Sequence, residues 1–156
     1  EGAAGGGGGG AAAATALEEL HLRHNSVGCD GVALLSASLL DNATLRRMLL
    51  GWNDVGQAGA EYVADALRTN RSVTLLDLDG NNIGPEGGAS VAYGLRENDA
   101  LTSLWLSSND LGDAGASAMA SVVLNETSAL QTLDLEFNEI TNEGALPLSE
   151  ALRDRP

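Results

Sequence analysis

From Leu17 to the C-terminus the chain cycles through one arrangement of apolar and polar positions. Around Asn109, apolar residues stand eight, five and three positions before the asparagine and two after it, and a glycine stands six after it. The same arrangement surrounds Asn25, Asn53, Asn81 and Asn138, and neighbouring asparagines lie 28, 28, 28 and 29 residues apart. Five copies in phase predict five units of one supersecondary structure stacked side by side, because no unit this small can bury its apolar face alone.

Each unit predicts a strand followed by a helix. The pairs Leu20/Leu22, Met48/Leu50, Leu76/Leu78, Leu104/Leu106 and Leu133/Leu135 alternate with polar or variable residues, so the apolar partners share one side of a strand. Strands are expected near 19–22, 47–50, 75–78, 103–106 and 132–135, paired in one parallel sheet. After each asparagine, Gly28, Gly56, Gly84, Gly112 and Thr141 are read as helix N-caps. Pro85 and first-turn acids such as Glu86 and Asp113 suit a helix start. Stripes such as Ala60, Val63, Ala64 and Leu67 give the buried face of helices expected near 30–41, 57–69, 85–97, 113–125 and 143–153. Asn42, Asn70, Asn98 and Asn125 are read as left-handed residues closing those helices. Three of them open glycosylation sequons, but Asn98 fills the same column without one, which favours the cap. Pro147 falls within the fifth helical stretch, which should therefore start late, kink or fray.

The pattern L-x-x-L-x-L-x-x-N-x-I-G-x-x-G resembles the leucine-rich repeat of the ribonuclease-inhibitor type, found in ribonuclease inhibitor, NOD-like receptor sensor regions and Ran GTPase-activating protein. The resemblance implies an α/β horseshoe, a solenoid with a parallel sheet on the concave side and α-helices on the convex side. It spans residues 17–156, after a Gly/Ala-rich low-complexity tail over 1–16. A first residue other than Met, and no dedicated cap at either terminus, lead us to expect a fragment of a longer array.

The resemblance implies that partners bind on the concave face, so the outward strand positions are the candidate site. One column reads His21, Leu49, Asp77, Trp105 and Asp134; the next reads Arg23, Gly51, Asp79, Ser107 and Glu136; a third holds Trp52 and Phe137. With Arg47 on the second strand, the protein-binding set is His21, Arg23, Arg47, Trp52, Asp77, Asp79, Trp105, Asp134, Glu136 and Phe137. Trp105 reads either as a binding hot spot or as a side chain packed on its column neighbours. The columns imply a face graded from basic early rungs to acidic later ones.

Charge narrows the partner. The net charge is −14, and all eight basic residues are arginines. This excludes the clustered cations needed for nucleic acid or an anionic membrane surface. The lone Cys29 rules out an internal disulfide, fits a cytoplasmic location, and is expected as an exposed loop thiol. His21, His24 and Cys29 lack a fourth ligand and match no zinc spacing, so no metal is expected. The carboxylates have no nucleophile beside them, and GGGGGG lacks the rest of a phosphate loop. No cofactor and no catalytic residue are expected. The sequence reads as a protein-interaction scaffold or sensor; the alternative implied by the resemblance is a regulator of a small GTPase, like Ran GTPase-activating protein. A GTP-hydrolysis assay across small GTPases separates the two.

Overall fold

The computed structural model describes residues 16–155, so the Gly/Ala-rich segment up to residue 15 lies outside the described residues. Strands β1 (Glu19–His21), β2 (Arg47–Leu49), β3 (Leu75–Asp77), β4 (Ser103–Trp105) and β5 (Thr132–Asp134) form one parallel sheet in chain order. Helices α1 (Gly28–Leu39), α2 (Gly56–Leu67), α3 (Gly84–Gly94), α4 (Gly112–Leu124) and α5 (Asn142–Asp154) follow them in alternation. Strand register repeats the sequence period: Leu20 pairs with Met48, Met48 with Leu76, Leu76 with Leu104 and Leu104 with Leu133. The fold is the α/β solenoid that the periodicity implies.

The core lies between sheet and helices. Met48, Leu50, Leu76, Leu78, Leu104 and Leu106 are buried, together with the helical stripe of Ala60, Val63, Ala64 and Leu67 and its equivalents in α3 and α4. Burying each large aliphatic side chain is worth about 1.5–3 kcal/mol. Leu20, Leu22, Leu133 and Leu135 are less covered, because the first and last units have a described neighbour on one side alone.

The strands are three residues long, yet pairing continues through the loops. Trp52 N–H donates to Asp79 O (2.7 Å), and Gly56 N–H to Asn81 O (2.9 Å), with equivalents in the other units. Turning the chain this tightly takes three left-handed residues in each of the second, third and fourth loops, for example Ser108 (φ 56°), Asp110 (φ 55°) and Gly112 (φ 57°), and two in the first and fifth. This corrects the expected role of the glycines. Gly28, Gly56, Gly84 and Gly112 are the first helical residues, not conventional N-caps, and have φ between 57° and 69°. Nothing stands within 4 Å of a Cβ built there, so the demand for glycine is conformational. Thr141 is a true cap: its side chain accepts from Glu143 N–H. The glycines six after each asparagine answer to space. A Cβ on Gly59 would stand 2.5 Å from Val55 Cγ1.

Two asparagine ladders stitch the units together. Asn81 donates through Nδ2 to Leu50 O and Asp79 O (3.1 Å each), and its Oδ1 accepts from Asn53 N–H (2.9 Å) and Val55 N–H (3.3 Å). It thus satisfies groups of the preceding coil that no strand reaches. The second column does the same at the helix ends. Asn98 Nδ2 donates to Leu67 O (2.7 Å) and Asn70 O (3.1 Å), while its Oδ1 accepts from Ala100 N–H (3.0 Å) and Leu101 N–H (2.8 Å). The expected left-handed conformation is not adopted: Asn42, Asn70, Asn98 and Asn125 all have negative φ. Their amides, not their backbone freedom, explain the column. Asn70 and Asn98 are buried by these bonds.

Two more expectations are corrected. Pro147 does not delay α5, which starts at Asn142 on its threonine cap and continues through the proline. Cys29 sits in the first turn of α1 and is partly buried, not in an exposed loop. No helix among the described residues is long and apolar enough to cross a membrane.

Candidate functional site

The outward strand positions form the concave face, and one arginine organises its first three rungs. From the end of β1 the Arg23 guanidinium crosses the second unit at Gly51 and reaches the third. Its Nη2 donates to Asp79 Oδ2 (2.7 Å), and its Nε lies 3.1 Å from Asp77 Oδ2. The crossing needs a glycine: a Cβ on Gly51 would stand 2.9 Å from both Arg23 Nε and Asp77 Oδ1. The same guanidinium lies 6.0 Å from the centroid of the Trp105 ring. Ser107 N–H donates to Asp79 Oδ1 (3.0 Å), fixing the other oxygen of that carboxylate.

Asp77 is thereby covered completely, with 0% of its surface exposed. This corrects its place among displayed residues, since period-two alternation aims the side chain outward but does not say what lies on top. Burial pushes its carboxyl above the ordinary aspartate value, and the charge of Asp79 pushes the same way. A hydrogen bond from Asp79 N–H and the Arg23 charge act in opposition.

The basic-to-acidic gradient is corrected as well. Arg23 is spent on Asp77 and Asp79, and Arg47 pairs with Glu19 (3.3 Å). Arg46 donates to Ser72 O (3.1 Å). His21 is exposed, with Nε2 3.1 Å from Glu19 Oε2, a contact that, with Arg47, holds the Glu19 carboxyl below its ordinary value. On the fifth rung Asp134 and Glu136 take part in no ion pair among the described residues. The face is an internally paired clamp at one end and bare carboxylate at the other.

Aromatic side chains line the rim where the strands exit. Trp52 stacks on His24 (centroids 6.0 Å apart, planes at 11°), and its ring occupies the space a Cβ on Gly80 would need. Trp52 remains 48% exposed and Phe137 78% exposed. Both hold left-handed backbone, φ 62° and 52°, which is costly for bulky residues. Trp105, in register with Asp77 and Asp134, is half-buried. Its side chain is partly packed and partly displayed. Sequence reasoning missed the long reach of Arg23. The signal was there in the column Arg23, Gly51, Asp79, where a glycine separates opposite charges. It also missed Tyr93 on the convex side, whose ring lies between Arg68 (5.8 Å) and Arg96 (5.7 Å).

The family model described as Leucine Rich repeat matches residues 14–36, 69–92, 98–120 and 129–149. The chain belongs to the leucine-rich repeat family. Two solved structures share the fold. Leiomodin-1 Actin-Binding Site 2 superposes with a TM-score of 0.75 at 20% identity, covering 87% of this chain and 79% of that one. The tropomodulin C-terminal domain of Caenorhabditis elegans gives 0.70 at 18% identity, covering 88% and 83%. A search of curated protein sequences finds no match.

Proposed function

We propose that this leucine-rich repeat domain is a protein-interaction module of the ribonuclease-inhibitor type, working in the cytoplasm and binding a protein partner through its concave face and exit rim. The observation that carries the reading is the exposure of Trp52 and Phe137 on one rim beside the partly exposed Trp105. Apolar rings offered to water in costly backbone conformations are repaid when a partner covers them. No arrangement among the described residues favours regulation of a small GTPase over this reading, and none supplies a nucleophile with its base.

Quantitative affinity capture tests it with Trp105→Ala, Phe137→Ala and, as a convex control, Tyr62→Ala. Trp105→Ala should weaken the partner by about 2 kcal/mol or more, and Tyr62→Ala should leave it unchanged. Since the leiomodin neighbour is an actin-binding site, actin is the first defined partner to try in a direct binding assay. Loss of binding in Tyr62→Ala, with both concave variants retaining it, would move the interface to the helices and end this reading.

A further inference from the structure

The concave reading can be deepened to the chemistry of its partner. Between Arg96 and Arg153 the sequence contains no arginine, lysine or histidine, while it contains ten carboxylate residues. Apart from Arg153 and Arg155 at the end of α5, the fourth and fifth units therefore carry charge of one sign. Part of it is used internally: Asp113 Oδ1 accepts from Thr141 N–H (2.7 Å) and Gly144 N–H (2.9 Å), and its Oδ2 from the Thr141 hydroxyl (2.7 Å). On the sheet side, Asp134 Oδ1 accepts from Glu136 N–H (2.9 Å), but neither side chain meets a cation among the described residues. The exposed Phe137 follows them directly, and Trp105 is the register partner of Asp134. On the first three rungs, in contrast, Asp77 and Asp79 share Arg23 as an internal cation.

We infer that the unpartnered sheet face around β5 docks an arginine-rich extended segment of a partner protein. Guanidinium groups fit both halves of the surface. Their N–H groups pair with the Asp134 and Glu136 carboxylates, and their flat faces stack on Phe137. Like charge repels an acidic segment from this end, and a neutral one leaves the carboxylates unmatched. This inference rests on the concave reading above.

A fluorescein-labelled peptide of alternating arginine and alanine tests it by anisotropy, with lysine–alanine and glutamate–alanine counterparts. The variants are Asp134→Asn with Glu136→Gln on the concave side, Glu126→Gln with Glu150→Gln away from it, and Phe137→Ala. Melting curves confirm that each remains folded. The arginine peptide should bind more tightly than the lysine peptide, and the glutamate peptide should not bind. The concave pair should weaken arginine-peptide binding about tenfold, whereas the distant pair, which removes equal charge, should change it about twofold or less. Phe137→Ala should abolish the preference for arginine over lysine. Equal losses from the two pairs would mean a diffuse field without a docking surface, and would overturn the inference. If the arginine peptide fails to bind while a captured partner still depends on Trp105, the cationic chemistry falls and the concave reading survives. If binding is lost in the distant pair and kept in the concave pair, both fall.

Discussion

Asp77 shows how one residue's environment departs from its position in the pattern. Its carboxyl is held above the ordinary aspartate value chiefly by burial. A folded-state value above the unfolded one means that the protonated form favours folding. That contribution is fully present below the unfolded value and is lost as pH rises through the raised folded value. Asp77→Asn removes this titration. The melting temperature of the variant should therefore gain on wild type as pH rises from about 3.5 to 7, and a difference constant across that range would refute the burial account. The columns of outward residues were legible because a strand alternates with period two. The cover over Asp77 was not, because it comes from a long side chain rooted two units away, and periodicity carries no information on how far an arginine extends. Phe137 and Trp52 were placed on the rim by their column alone, and their exposure follows from the turn that carries them outward.

Among elements, the contrast between the two asparagine columns disappears. By sequence, an asparagine in the loop after a strand should matter more than one closing a helix. In the structure Asn81 is 0% exposed and Asn98 3% exposed, each with four hydrogen bonds to main-chain groups or more. Replacing either by alanine leaves buried carbonyl and amide groups unpaired, at a cost of about 1–3 kcal/mol. Asn42 is exposed, and its Oδ1 serves Thr44 and Leu45 of its own loop. Asn42→Ala should cost less than about 1 kcal/mol. Urea melts of the three variants check the order, and Asn98→Ala falling level with Asn42→Ala would refute the second ladder. Strand centres, helix stripes and register were all legible, since each is a spacing. The helix ends were less so: α1 to α4 start at the glycine, one or two residues earlier than the stripe suggested. The left-handed turn that permits this start is set by φ, and residue type signals φ weakly.

At the scale of the whole molecule, contacts between elements join neighbouring units, as expected of a linear stack. In such a stack the outermost unit normally opens first, at little cost to units further in. The Arg23 bridge changes that for this chain. If the first unit peels away, Asp77 and Asp79 lose their cation together, in a place where one of them has no access to water. The cost of opening the end is thus felt two units inside, and the three rungs should come apart as a group. Hydrogen exchange measures this directly. Arg23→Ala should speed exchange of the Leu22 amide and also of the Asp79 and Ser107 amides, which bond to the two carboxylates. Acceleration confined to the first unit would mean the rungs open independently. What the crossing at Gly51 supplies, then, is a longer cooperative length, so that the first three rungs present the concave face either whole or not at all.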